Sequence, residues 1–287
     1  MKKIFSILTI LIMSLATILY ASDNSVIRSY GKVNVAKLPI FQGGYINFGY
    51  WENILPKKGK VTIEERIQSS EALYMQIINM LNISENDIVV ELGCGCGYGC
   101  AKMMETYSPK RLIGIDITPE QVEISHQIHH EAFEQYPNLS FIIASAERTT
   151  LPSSSIDKIY SVEAIHHFQS IPNFAKEALR ILKPGGIIVF TTFFATSQQS
   201  FESLCETIPW VAKGIDNPIP IGDVENAFKQ NGFRNIQIKS IGNKVFGGYA
   251  IWVSQVISLS NSEVWGTEWN DAFLRGYADY YVITAQK

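Results

Sequence analysis

Residues 89–100 read VVELGCGCGYGC. The stretch starts as an apolar run, passes one acid at Glu91, and enters glycines that alternate with Cys94 and Cys96 before Cys100. A continuous apolar run ending in glycines is the pattern of a strand buried on both faces of a parallel sheet. Glycines placed after such a strand let the backbone approach a ligand closely, with the N-terminus of the next helix behind them. Three familiar loops can be compared with this one. A dinucleotide loop needs G-x-G-x-x-G or A, and counting from Gly93, Gly95 or Gly97 the last position falls on Tyr98, Cys100 or Lys102. The Gly-Lys-Ser/Thr of a phosphate loop is absent. Cys94, Cys96 and Cys100 do not have the CxxC spacing of a metal site. No metal is therefore expected, and the thiols read as small packing groups between glycines. What fits is E-x-G-x-G-x-G: Glu91, Gly93, Gly95, Gly97.

Outward from this loop, strand and helix patterns alternate. IVVEL (88–92), RLIGID (111–116), LSFIIA (139–144), IDKIYSV (156–162) and IIVFTT (187–192) read as strands. TPEQVEISHQIHHEAFEQYP, from Thr118, reads as a helix with Thr118 as N-cap, Pro119 in its first turn and Gln121 completing a capping box. IPNFAKEALRIL is a helix stopped by KPGG (183–186). GDVENAFKQNGF is another, ending near Gly232. IQIKSI and YYVITA read as late strands pairing at the sheet edge. Upstream, an amphipathic helix is expected from about Thr62 to Leu81, with Ile63, Ile67, Leu73, Ile77 and Leu81 on one stripe. The alternation implies an α/β chain with a doubly wound, Rossmann-like, mostly parallel seven-stranded sheet. An N-terminal lid (41–81) and an insertion after the fifth strand (193–221) complete it.

The chain has 287 residues and a net charge of −3. One domain of ordinary size over 23–287 is expected, and the charge balance gives no reason to expect a nucleic-acid partner. Lys2 and Lys3 precede a mostly apolar stretch, residues 4–20. Residues 1–22 thus read as a signal peptide or membrane anchor, placing the protein at the membrane or outside the cytoplasm. A start at Met13 is the cytoplasmic alternative. The thiols of the glycine loop sit uneasily in an oxidising compartment.

From about Tyr45 to its end the sequence resembles the class I S-adenosylmethionine-dependent methyltransferases, most closely the group acting on ubiquinone, tocopherol and antibiotics. ELGCGCG looks like the cofactor loop. GIDIT, with Asp116 closing the second strand, resembles the ribose-binding segment. ASAERTTLP resembles the adenine segment, usually Gly-Asp-Ala; here Ala144, Ser145 and Ala146 stand there, with Glu147 as the nearest carboxylate. SVEAIHHF resembles the segment after the fourth strand, and RILKPGG and ADYYVITAQK also match. The resemblance implies S-adenosyl-L-methionine as cofactor, with contacts from Tyr50 of the lid and from Glu91, Gly93, Cys94, Gly95, Gly97, Asp116, Ile117, Ser145, Ala146, Glu147 and Glu163. It also implies a catalytic histidine at His167 or His166, the register favouring His167. A histidine there can take a proton from a hydroxyl near neutral pH. His126, His129 and His130 read as surface residues of the helix after Asp116.

Tyr45, Phe48 and the tryptophans at 51, 210, 252, 265 and 269 all lie outside the cofactor half. Their distribution suits a small, largely apolar or aromatic acceptor. Oxygen methylation is the first expectation, with carbon or nitrogen methylation next. The alternative is a non-catalytic cofactor- or lipid-binding module on a degenerate fold, which Ser145 and the export-like N-terminus favour.

Overall fold

The computed structural model describes residues 27, 30–31, 35–54, 59–128, 135–260 and 267–287, with side chains at 258–260 left aside. The leader at 1–22, His129, His130 and Trp265 lie outside the described residues. Among the described residues no helix is long and apolar enough to cross a membrane.

Seven strands form one sheet: β1 Ile88–Leu92, β2 Arg111–Asp116, β3 Leu139–Ile143, β4 Ile156–Val162, β5 Leu182–Ala195, β6 Arg234–Ser240 and β7 Ala278–Gln286. Their order is β3-β2-β1-β4-β5-β7-β6. β1 to β5 are parallel and β7 is antiparallel to both neighbours. The helices are α1 Ile63–Met80, α2 Tyr98–Thr106, α3 Pro119–Ile128, α4 Ile171–Ile181, α5 Gln198–Thr207, α6 Pro209–Ala212, α7 Ile221–Asn231, α8 Phe246–Ser260 and α9 Thr267–Leu274. The strand order reverses between β1 and β4: β2 and β3 are added on one side of β1, and β4 and β5 on the other. That switch point opens a crevice at the carboxyl ends of the strands, where ligands of such sheets bind.

The expected α/β architecture is the one observed. Three local expectations change. Thr62 does cap α1, its side chain accepting from the Glu65 amide (3.1 Å) while the Glu65 carboxylate accepts from the Thr62 amide (2.8 Å). The buried face of that helix, however, carries Arg66, Ser69 and Ser70 beside Leu73, Tyr74 and Ile77, and Ile63 is 48% exposed. The helix start lies against backbone carbonyls of 40–47, so donors rather than methyl groups are buried there. At α3 the capping box does not form. The Gln121 side chain instead donates to the Tyr30 carbonyl (3.1 Å) and accepts from the Cys96 thiol (2.8 Å). Finally, β5 runs through to Ala195, paired with β7 from Ile187 to Ala195. Phe193, Phe194 and Ala195 therefore belong to the sheet and not to an insertion, and β7 lies inside the sheet with β6 as its edge.

Burial divides the interior between the two faces of the sheet. One face packs Val90, Ile113, Ile159 and Phe190 under α4 and α7. The other packs Val89, Tyr160, Val189 and Phe193 under α1, α2, α8 and the segment 40–51. The first carries a cluster of phenylalanines (Phe174, Phe190, Phe228 and Phe233), and the second adds tyrosines and tryptophans to its rings.

Candidate functional site

The glycine loop closes β1 onto α2. Gly93, Gly95 and Gly97 take φ of +74°, +50° and +79°, a region where a side chain is strained. A Cβ at Gly93 would lie 2.1 Å from the Ala164 Cβ, whereas at Gly95 the nearest atom is Ile46 Cδ1 at 3.8 Å. Gly93 is thus required by the approach of the β1 and β4 ends, and Gly95 by the open space beside it. The loop amides are already engaged. Gly93 and Cys94 both donate to the Ile115 carbonyl, Gly97 to the Cys94 carbonyl, and Gly95 to Asp116 Oδ2 at 2.9 Å. What the loop offers a ligand is a surface without Cβ atoms, backed by the start of α2.

That surface is one wall of a cavity with about 980 Å³ of empty space open to solvent. The cavity collects Gly93, Cys94, Gly95, Asp116, Ile117, Ser145, Ala146, Glu147, Glu163 and His167. Asp116 closes β2 with each oxygen accepting one amide, Oδ2 from Gly95 and Oδ1 from Thr118 (2.9 Å). Burial pushes its carboxyl up against the opposing pull of those amides. A carboxylate oxygen has further acceptor capacity, so both oxygens can still meet hydroxyls. Ser145 has no carboxylate to offer. Glu147 spends Oε1 on the Gln169 and Ser170 amides (2.7 and 3.0 Å), which anchors the start of α4.

Four expected site residues lie elsewhere. Glu91 points to the α1–α2 side of the sheet because the strand pleat alternates its side chains. It is fully buried there, accepts from the Cys100 thiol (2.9 Å) and the Tyr160 hydroxyl (2.7 Å), and burial pushes it up to about 7. Tyr50 is buried outside the cavity, its hydroxyl donating to Glu52. Gly97 is the N-cap of α2 rather than cavity wall. His166 lies behind His167, buried, with Nδ1 2.6 Å from Thr192 Oγ1. The three loop cysteines are buried and free, and burial raises their thiols, Cys96 to about 12. They fill space between glycines, as read.

His167 ends a short turn after β4, Ile165–His167. Its Nδ1 lies 2.9 Å from the Ile215 carbonyl, and a carbonyl only accepts, so Nδ1 carries the proton. Nε2 is then the lone-pair nitrogen, and the Tyr30 hydroxyl donates to it at 3.1 Å. Burial holds the imidazole down at about 4, neutral at pH 7. Asp216 Oδ1 lies 3.4 Å from His167 Nδ1 and 3.9 Å from His166 Nε2. It is buried, has no hydrogen-bond partner, and is pushed up to about 7 by desolvation. Glu163, at φ +49°, accepts at Oε1 from the Phe48 amide (2.6 Å) and the Tyr280 hydroxyl (2.7 Å), and burial raises it to about 7. A left-handed non-glycine residue at a strand end is the kind of strain found at functional sites.

Sequence reading did not single out Tyr30, Tyr280, Arg66 or Asp216. Tyr30 and Asp216 stand 137 and about 50 residues from His167 along the chain, and neither sits in a motif. A lone acid ahead of Asn-Pro in GIDNP (214–218) carries no local signal.

Residues 90–190 match the family model described as "Methyltransferase domain". The chain is 28% identical over 217 residues to erythromycin 3''-O-methyltransferase of Saccharopolyspora erythraea, covering 71% of this chain and 66% of that protein. It spans between about half and two thirds of the length of the curated relatives it matches. Among solved structures, geranyl diphosphate C-methyltransferase of Streptomyces coelicolor superposes with a TM-score of 0.74 at 16% identity, covering 93% of this chain and 97% of that one. The cyclase SpnF superposes at 0.69 and 16%, covering 92% and 97%. Residues 90–190 thus match a methyltransferase domain, on the fold those structures share.

Proposed function

We propose that the protein transfers a methyl group from S-adenosyl-L-methionine to a hydroxyl of a small, largely apolar or aromatic acceptor, with His167 as the base. The fit to that cofactor rests on the cradle itself. A Cβ at Gly95 would project into the space an amino-acid tail needs. Asp116 stands at the end of β2 with acceptor capacity for ribose hydroxyls. Ser145 and Ala146 present a small, uncharged wall to a purine. When bound, the cofactor supplies an electrophilic methyl on a sulfonium.

The observation that carries the reading is the tautomer of His167: Nδ1–H is fixed on the Ile215 carbonyl, which leaves the Nε2 lone pair, covered by the Tyr30 hydroxyl, at the wall of the glycine-lined cavity. With the cofactor held there, Nε2 would take the proton as the acceptor O–H bond breaks and the methyl carbon exchanges its bond to sulfur for one to oxygen. Asp216, 3.4 Å from Nδ1, favours the imidazolium that results. The residues' main contribution is alignment of two reactants, an effect worth several kcal/mol. Glu163 and the Phe48 amide hold the segment 45–51 over the site.

Calorimetry with S-adenosylmethionine and S-adenosylhomocysteine, followed by methyl transfer to a panel of phenols and hydroxylated polyketides with His167→Ala as control, tests this. Loss of turnover in the variant with cofactor affinity kept is the expected result. Tight cofactor binding with no turnover on any acceptor favours a non-methylating module, a reading supported by Ser145 and by SpnF, a cyclase on the same fold. Residues 4–20 direct the chain to the membrane or beyond it in this proposal. Fractionation of the full chain against one starting at Met13 checks that placement.

A further inference from the structure

Behind the cavity wall, two imidazoles and one carboxylate converge. A nitrogen of His166, a nitrogen of His167 and an oxygen of Asp216 all lie within 4.8 Å of one another. Asp216 Oδ1 is 3.4 Å from His167 Nδ1 and 3.9 Å from His166 Nε2. Around a tetrahedral zinc ion, with bonds of about 2.0–2.2 Å, neighbouring donor atoms stand about 3.3 Å apart. The Ile215 carbonyl, 2.9 Å from His167 Nδ1, adds an oxygen beside the same nitrogen.

The arrangement is held from outside. The other nitrogen of each ring already has a partner: His166 Nδ1 lies 2.6 Å from Thr192 Oγ1, and His167 Nε2 lies 3.1 Å from the Tyr30 hydroxyl. Metal-bound histidines are oriented in this way, by a hydrogen bond at the nitrogen that does not touch the ion. The backbone fixes the same parts. The Asn217 amide donates to the His166 carbonyl (2.6 Å), and the Ile215 and Asp216 amides both donate to the Trp210 carbonyl (3.0 and 3.2 Å).

What the cluster lacks is a positive charge. Asp216 is only 3% exposed, and its Oδ1 has no hydrogen-bond partner. A buried carboxylate without a partner is costly. Burial keeps both imidazoles beside it neutral at pH 7. Protonation of Asp216 removes the charge and leaves the facing nitrogens unused, whereas a divalent cation uses all three groups at once. Imidazole suits zinc, while magnesium and calcium prefer all-oxygen sites. The loop cysteines compete poorly, because burial raises their thiols and a thiol must lose its proton to bind a metal.

We propose that His166, His167 and Asp216 form a binding site for a zinc-like divalent cation, reached from the solvent-open cavity that His167 lines, and that the cation switches the base off. It takes the Nδ1 lone pair of His167, so the ring's proton moves to Nε2 and is donated to the Tyr30 oxygen. A proton held by Asp216 leaves to solvent. No lone pair then remains for an acceptor hydroxyl. The site stands on geometry; the switch rests on the methyl-transfer reading.

The test uses the untagged full chain, stripped with a chelator. Zinc, titrated against a chromophoric competitor, is expected to bind at one equivalent with a Kd of about 1 μM or below. Cobalt, which needs no variant, is expected to give a visible ligand-field band without the sulfur-to-metal band that a thiolate adds. Asp216→Asn and His166→Gln, each checked by thermal unfolding, are expected to weaken zinc roughly a hundredfold, and Cys205→Ser to leave it unchanged. Magnesium is expected to bind far more weakly. On the acceptor panel, saturating zinc is expected to cut turnover at least about tenfold while S-adenosylhomocysteine affinity stays within about threefold. A chain that binds no zinc, holds it as tightly in both variants, binds magnesium equally well or gives a thiolate cobalt spectrum overturns the site. Zinc that occupies the site and leaves turnover unchanged or raised overturns the switch. Absence of turnover on every acceptor without metal counts against methyl transfer instead, and the zinc and cobalt titrations still decide the site.

Discussion

The loop from Gly93 to Gly97 and the aromatic wall around Phe193 border neighbouring space and are made in opposite ways. The loop is five consecutive residues whose role follows from what they lack: at Gly93 no Cβ fits, and at Gly95 a Cβ would enter the cavity. The wall is assembled from the segment 45–51 (Phe48), the end of β5 (Phe193), α8 (Tyr249) and α9 (Trp269), four segments spread over more than half the chain. The loop's polar groups are satisfied internally, while the wall leaves Asp216 and Tyr249 unserved. The first is finished by local backbone geometry. The second is set by packing between segments distant in the chain.

If the two walls are separable in this way, His167→Ala should show it most strongly. Turnover is expected to fall by about 10²–10⁴-fold, the usual range for a lost general base, while S-adenosylhomocysteine affinity measured by calorimetry stays within about threefold. A matching loss of cofactor affinity would break the division.

The two glycines sharpen it from the other side. Gly93→Ala forces a Cβ to 2.1 Å from Ala164 at φ +74°, so a loss of about 3 kcal/mol of stability is expected in urea unfolding, with cofactor affinity down roughly a hundredfold. Gly95→Ala meets open space, so only the strain of its φ, about 1 kcal/mol, should appear in stability. Its methyl still enters the cradle, and affinity should drop about tenfold.

Glu91 probes a buried group outside the glycine-lined cavity. Burial raises its carboxyl from the ordinary carboxylate range to about 7. The folded state therefore holds this proton more tightly than the unfolded chain. Its contribution is fully present below the unfolded pKa, and it is lost as pH rises through about 7. Glu91→Gln removes that loss. Its stability relative to the unaltered protein should climb by on the order of 2 kcal/mol between about pH 5 and pH 8 in urea titrations, with cofactor affinity unchanged at both ends. A variant whose affinity falls with pH would return Glu91 to the cofactor wall.

Tyr30→Phe should give the smallest effect. The hydroxyl that donates to Nε2 must leave before an acceptor can take its place. Its loss should lower the acceptor KM by about two- to fivefold, the scale of one hydrogen bond, and leave kcat nearly unchanged. A large fall in kcat would make Tyr30 part of the chemistry rather than a cover.

Where the sequence reading held and where it slipped follow from the same contrast. Four strands of the parallel half were legible nearly to the residue, because buried parallel strands are apolar runs with abrupt ends: Ile88–Leu92, Arg111–Asp116 and Ile156–Val162 are as read and Leu139–Ile143 is one residue shorter, whereas β5, read as 187–192 after a stop at 183–186, runs from Leu182 to Ala195. Asp116, Ser145, Glu163 and His167 reach the cavity because each follows a strand end, and the sheet carries every such end to one edge. Glu91 was misplaced because a motif does not show which face of the pleat a side chain takes. Tyr50 lies outside the cavity, contrary to expectation, because which aromatic of a lid faces inward depends on the path of the segment 41–51. Arg66 broke the apolar stripe of α1 because its partners are carbonyls of a segment that the helix pattern does not mention.

By itself, then, the sequence determined the succession of strands and helices and the glycine loop between β1 and α2, since each depends on contacts between near neighbours in the chain. Only the tertiary structure decided which nitrogen of His167 carries the proton, that Asp216 and Tyr30 flank that ring, and that Phe48 packs between Phe193 and Tyr249. Those relations join residues tens to hundreds of positions apart, and nothing in local propensity or spacing encodes a distance through space.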